Sequence, residues 1–152
     1  MVCLGNICRS PMAEGVLRNM AHRKGLSIEV DSAGTANYHV GEAPDPRAIS
    51  CMSEYNIDIS ELRGRQFTKA DFQSYDHILV MDQSNLRNVL ALTHDEEHRN
   101  KVELLLAYSP SSDQREVPDP WYGDRKDFHH VYGLLTEALE SFIITHQLKK
   151  LS

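Results

Sequence analysis

The stretch Met1-Val2-Cys3-Leu4-Gly5-Asn6-Ile7-Cys8-Arg9-Ser10-Pro11 decides how the rest of the chain is read. A short apolar lead ends in a cysteine, and an arginine and a hydroxyl follow after five residues. Five residues let the backbone wrap into a cup around one tetrahedral anion, with its amides turned inward as a nest. Cys3 then lies on the floor, where its sulfur can attack phosphorus. Arg9 closes the cup and can fork onto two phosphoryl oxygens. Inward amides, the start of a helix and Arg9 all favour the thiolate, which is the reactive form. Gly5 and Asn6 are residue types that tolerate positive φ, as such a loop needs. Gly-Asn is also an ordinary turn pair, but a plain turn leaves Cys3 and Arg9 unexplained. Ser10 can hydrogen-bond the sulfur and help it leave, and the Asn6 amide can brace the loop.

The cup runs into helical spacing from Ser10 to His22, with Met12, Val16, Leu17 and Met20 apolar. Pro11 suits the first turn and Gly25 a stop. The anion site therefore sits at a helix N-terminus. Further on, Ser27–Ala33 alternates like a strand, and Asp45-Pro46 starts a helix carrying Ala48, Ile49, Met52 and Tyr55. Asp76–Met81 reads as a buried parallel strand. Ser84–Leu92 reads as helix and Val102–Ala107 as the last strand. Val117–Gly123 is a Pro-rich loop. Phe128–Leu148 reads as a long helix with Val131, Leu134, Leu135, Ala138, Leu139 and Phe142 on one stripe. Strands alternating with helices predict an α/β fold, a parallel sheet covered on both faces. Ligands bind such sheets beyond the carboxyl ends of the strands, where the cup lies. With 152 residues and no repeat, low-complexity tract or linker, residues 1–152 are expected to form one domain.

The formal net charge of −6 argues against a nucleic-acid or anionic-membrane binder. No segment approaches the roughly 20 apolar residues of a membrane span, and no signal segment opens the chain. Three cysteines, Cys3, Cys8 and Cys51, are no disulfide scaffold, so a reducing cytoplasm is the expected setting. Cys8 reads two ways: a thiol close enough to bond Cys3 under oxidation, or a small core residue. His94–His98 lacks the spacing of a zinc motif. It reads, like His129-His130, as a charged solvated face, and no metal or cofactor is expected. Lys149-Lys150 is too short for a membrane patch, and Asp45-Pro46-Arg47 reads as a helix start.

Transfer of a phosphoryl group to sulfur leaves the ester oxygen needing a proton. The best donor is Asp119 in Val117-Pro118-Asp119-Pro120-Trp121-Tyr122-Gly123. Pro-Asp-Pro alone is a surface turn, but beside a cysteine cup it reads as a stiffly presented acid. Trp121 and Tyr122 can wall an aromatic substrate.

Val2–Glu14 resembles the low-molecular-weight protein tyrosine phosphatases. So do Asp31–Gly34, Val40–Ala48, Thr68–Phe72, Val80–Arg87 and Asp119–Tyr122, in order and over nearly the whole chain. The resemblance implies a four-stranded parallel sheet flanked by helices and a two-step reaction without metal. Cys3 would form a phosphocysteine, Arg9 would hold phosphate, and Asp119 would protonate the tyrosyl oxygen and then activate water. Ser10 would assist the thiolate, with Asn6 and Ser32 bracing the loop. Leu4, Ile7, Tyr38, Trp121 and Tyr122 would line a slot deep enough to favour phosphotyrosine over phosphoserine. Cys8 would be the partner in reversible oxidation. The implied partner is a tyrosine-phosphorylated protein or peptide, with inorganic phosphate as product and a monomer as the working unit. Two positions depart from the family pattern. Only Met1 and Val2 precede Cys3, so the first strand is expected to be truncated, and Leu62 stands where many members carry a bracing histidine.

The rival enzyme of this fold is a thiol-dependent arsenate reductase, which needs further cysteines in a later segment. Only Cys51 remains, with no cysteine partner near it in sequence. An idle oxyanion-binding module and a phosphocysteine carrier are the other readings. Neither needs Asp119.

Overall fold

A computed structural model describes residues 1–111 and 113–146. Four short strands, β1 (Val2–Cys3), β2 (Ala33–Gly34), β3 (Ile78–Val80) and β4 (Val102–Leu104), form one parallel sheet in the order β2-β1-β3-β4. β1, two residues long, is paired on both sides, Val2 opposite Ala33 and opposite Val80.

Side chains on a strand alternate between faces, and this alternation divides the core in two. Cys3, Leu79 and Met81 join one apolar cluster, with α1 (Arg9–Lys24), α2 (Pro46–Ser53) and α6 (Arg125–His146). Val2, Ile78 and Val80 join the other, with Phe67, Phe72 of α3 (Asp71–Ser74) and Val89 of α4 (Gln83–Leu90). α5 (Glu96–Arg99) is a single capped turn before β4. Helices thus cover both faces, as the alternation of elements predicts.

Several boundaries differ from the sequence expectation. Ser27–Ala33 enters the sheet only at Ala33–Gly34, because β1 offers ladder partners at Val2 and Cys3 alone. The last strand stops at Leu104, and Leu105–Tyr108 turns as a 3-10 helix. Leu105 and Leu106 are both wholly buried in the same cluster, which neighbouring residues on a flat strand cannot achieve. α2 ends before Tyr55, which stacks on Tyr132 instead. α6 starts three residues early, at Arg125. Asp124 and Asp127 cap it reciprocally: Lys126 N donates to Asp124 Oδ1, and Asp124 N donates to Asp127 Oδ2. Leu148, Lys149 and Lys150 lie outside the described residues. The expected stop of α1 is present, with Gly25 left-handed at φ 64°.

Candidate active site

Residues 4–8 link β1 to α1 at the carboxyl end of the central strand. α1 begins at Arg9, so first-turn amides without intrahelical partners form one rim of the cup. Asn6 takes the left-handed conformation, φ 58°, and donates its backbone N–H to Cys3 Sγ at 3.2 Å. Gly5 is not left-handed. Its lack of a side chain serves space, since a Cβ there would meet the His39 ring at 3.1 Å. Gly34 allows a similar approach, because its Cβ would stand 2.8 Å from Leu4 O.

A directed hydrogen-bond chain runs behind the sulfur. Arg65 N donates to Asn6 Oδ1 at 3.0 Å, which fixes the amide so that Nδ2 faces the hydroxyls. Nδ2 donates to Ser10 Oγ at 2.7 Å and to Ser32 Oγ at 3.0 Å. Ser32 Oγ in turn donates to Glu14 Oε1 at 2.6 Å. Ser10 Oγ lies 3.0 Å from Cys3 Sγ, a contact in which either atom can donate, and 3.5 Å from Ala33 O, to which it also can donate. The chain therefore holds the Ser10 hydroxyl beside the Cys3 sulfur. Glu14 is buried in α1 and pairs with Arg18 at 2.6 Å. Burial pushes its carboxyl up, against the pull of Ser32 and Arg18. Leu62 takes no part and packs against the core. No described buried side-chain nitrogen or oxygen lacks a partner.

Arg9, with 4% of its side chain exposed, is held from two sides. Nη1 donates to Asp82 Oδ2 at 2.7 Å and to Val117 O at 3.0 Å. Nη2 lies 3.7 Å from Asp119 Oδ2. Burial opposes its charge, but Cys3, Asp82 and Asp119 outweigh burial and hold the guanidinium above its ordinary value. Asp82 also caps α4, since its Oδ1 accepts from Asn85 N at 2.8 Å.

Asp119 precedes a 3-10 turn, Pro120–Tyr122, and its Oδ1 accepts from Trp121 N at 3.1 Å. Its side chain is 42% exposed, open to a substrate and to water. Leu4, Tyr38 and Trp121 are exposed, and Tyr122 is 94% exposed. Ile7, expected beside them in the slot, is buried in the core. Cys3 and Cys8 are both free thiols. Burial pushes the Cys8 thiol strongly up, and Asp45, Cys3 and Asp119 add to the shift.

The structure therefore gathers Cys3, Asn6, Arg9, Ser10, Ser32 and Asp119. It adds four residues that sequence reasoning gave no role: Glu14, Arg47, Arg65 and Asp82. Asp82 had a signal, an acid directly after a strand and before a helix. Glu14 had one too, a carboxylate set between the apolar positions Met12 and Val16 of a helix. Arg47 read as part of a helix start, and nothing in the sequence tied it to Trp121.

The family model described as low molecular weight phosphotyrosine protein phosphatase matches residues 1–152. Among curated relatives, the low molecular weight phosphotyrosine protein phosphatases of Homo sapiens and Gallus gallus are 42% and 41% identical, each over 93% of this chain and 90% of the relative. A crystal structure of a protein tyrosine phosphatase from Entamoeba histolytica superposes with a TM-score of 0.92 at 34% identity, covering 96% of this chain and 94% of that one. A low molecular weight phosphotyrosine phosphatase from Vibrio cholerae does so with a TM-score of 0.86 at 33% identity, covering 96% and 94%.

Proposed function

Since the chain belongs to the low molecular weight phosphotyrosine protein phosphatases and is a protein-tyrosine phosphatase, we propose that Cys3, Arg9 and Asp119 carry its reaction. The Cys3 thiolate attacks phosphorus, and the bond from phosphorus to the tyrosyl oxygen breaks. Asp119 gives its proton to that oxygen as it leaves. Arg9 and the cup amides hold the three equatorial oxygens, where charge is spread in the transition state. The Asp119 carboxylate then takes a proton from water, which attacks the phosphocysteine. Sulfur leaves as a thiolate that accepts from Ser10, and inorganic phosphate is released.

The observation that carries this reading is the convergence of three groups: sulfur 3.0 Å from the Ser10 hydroxyl, and Arg9 pinned by Asp82 with its other nitrogen 3.7 Å from Asp119. The exposed rings of Tyr38, Trp121 and Tyr122 are free to meet a phenyl ring, in keeping with a tyrosine-phosphorylated protein or peptide as substrate. Cys8 is the resolving thiol: peroxide oxidises Cys3 to a sulfenic acid, and Cys8 condenses with it, releasing water. Three free thiols suit a reducing cytoplasm. Every group invoked comes from one chain, so a monomer suffices. Among the described residues no helix is long and apolar enough to cross a membrane. An arsenate reductase is not favoured, because beyond Cys3 and Cys8 the sequence holds only Cys51, in α2, with no further cysteine to pair with it.

Cys3→Ser is expected to abolish turnover of phenyl phosphate while keeping vanadate binding, and wild-type-like turnover would overturn the mechanism. Asp119→Ala is expected to slow phenyl phosphate by about 10²-fold or more, in the range of general acid catalysis, and 4-nitrophenyl phosphate far less. Equal slowing of the two would mean that Asp119 is not the acid.

A further inference from the structure

We propose that Arg47 is the positioning residue of the acid: it sets the distance between the anion cup and the turn that presents Asp119. The proposal rests on Asp119 being the proton donor.

The geometry is a fork used on both sides. Toward the cup, Arg47 Nε and Nη2 donate to the two oxygens of Asp45 at 3.1 and 2.9 Å. Asp45 is itself tied to the cup, because its backbone N–H donates to Ile7 O at 2.8 Å. Toward the acid loop, Nη2 donates to Trp121 O at 3.0 Å and Nη1 to Gly123 O at 3.2 Å. The guanidinium also lies over the rings of Trp121 and Phe128, at 5.5 and 4.9 Å from their centroids. The path from cup to acid is therefore Ile7, Asp45, Arg47, Trp121, Asp119, with a hydrogen bond at each step.

The acid loop needs such an anchor. Pro118 and Pro120 have no N–H to donate. The near end of the loop is held at Val117, whose N–H donates to Met81 O at 2.8 Å and whose carbonyl takes Arg9. The turn after Asp119 closes on itself through Gly123 N and Pro120 O, leaving the carbonyls of Trp121 and Gly123 to meet Arg47. Misplacement of a proton donor by about 1 Å is enough to cost 10²-fold in rate. Asp45 reports the same coupling: burial alone raises its carboxyl, yet the hydrogen bonds from Arg47 hold it below the ordinary value.

A residue that only glued α2 to the loop would affect every substrate alike. A residue that places the acid affects only those that need the acid. The test is a double-mutant cycle on kcat/KM, with phenyl phosphate as the poor and 4-nitrophenyl phosphate as the good leaving group. Arg47→Gln is expected to slow phenyl phosphate about tenfold, a part of the 10²–10⁴ that an acid supplies, and 4-nitrophenyl phosphate about twofold at most. In the Asp119→Ala background, Arg47→Gln is expected to do nothing further. Arg47→Lys, which keeps charge and loses the fork, is expected to recover part of the loss. Equal slowing of both substrates, or undiminished slowing without Asp119, overturns the proposal and leaves the acid assignment standing. Failure of Asp119→Ala itself to discriminate overturns both. Should Arg47→Gln not fold, the same cycle with Arg47→Lys reads a smaller shift of the same sign, and equal slowing there is the refuting result.

Discussion

Asn6 is the residue whose two properties can be separated. Its left-handed backbone costs an ordinary side chain about 1–2 kcal/mol, and its amide makes three hydrogen bonds, to Ser10, Ser32 and from Arg65. Asn6→Gly keeps the backbone at ease and deletes the amide, whereas Asn6→Ala also strains the backbone. The expected result in thermal melts is Asn6→Ala below Asn6→Gly below wild type. Turnover is expected to fall about tenfold or more in both variants, because Ser10 loses the donor that holds its hydroxyl beside the sulfur. Wild-type turnover by Asn6→Gly would show that the brace is unnecessary. The bracing role was legible from the residue type at that place in the run. Its partners were not, because Ser32 and Arg65 lie 26 and 59 positions away and only folding brings them in. Leu62 packs against the core and takes no part in the network, whose outer contacts are those of Glu14 with Ser32 and of the Arg65 amide with Asn6.

Elements built on local rules were readable, and those built on partners were not. α1 carried its own punctuation in Pro11 and Gly25, and α2 carried Asp45-Pro46. The ends of β2 and β4 depend on neighbours: on where β1 can pair, and on Leu105 and Leu106 both entering one cluster. The start of α2 yields a prediction at this scale. The Asp45 carboxyl is held below its unfolded value, so the folded state resists its protonation. Its stabilising effect is complete above the unfolded carboxylate value of about 4 and is lost as pH falls toward the lower folded value. Melting temperature is expected to fall more steeply from pH 5 to about pH 3 in wild type than in Asp45→Asn, the two curves converging at the acid end. Parallel curves would remove Asp45 from the acid limb.

The whole molecule is closed by α6, whose last described turn returns to the amino ends of the strands. There His77 lies beside His146, ring centroids 4.4 Å apart, and edge-on to Phe142 at 5.1 Å. His146 is also joined to the Tyr108 hydroxyl at 2.8 Å. Burial, then His146, lower the proton affinity of His77, against the weaker pull of Asp76 and Glu103. A histidine with a lowered value binds protons better when unfolded, so its contribution is full above about pH 6.5 and is lost as pH falls through that value. A shallow loss of thermal stability between about pH 7 and pH 5 is expected, and His77→Gln is expected to flatten it. An unchanged slope in that variant would assign the acid sensitivity elsewhere. A last consequence follows from Arg9, whose partner Val117 lies 108 positions down the chain. During synthesis Cys3 and Arg9 leave the ribosome long before the carbonyl that Arg9 grips, 108 positions later, and before Asp119, two residues beyond that. The site is thus assembled only once Asp119 has been made, and a product released before it carries the sulfur and the arginine without the carboxylate that faces them.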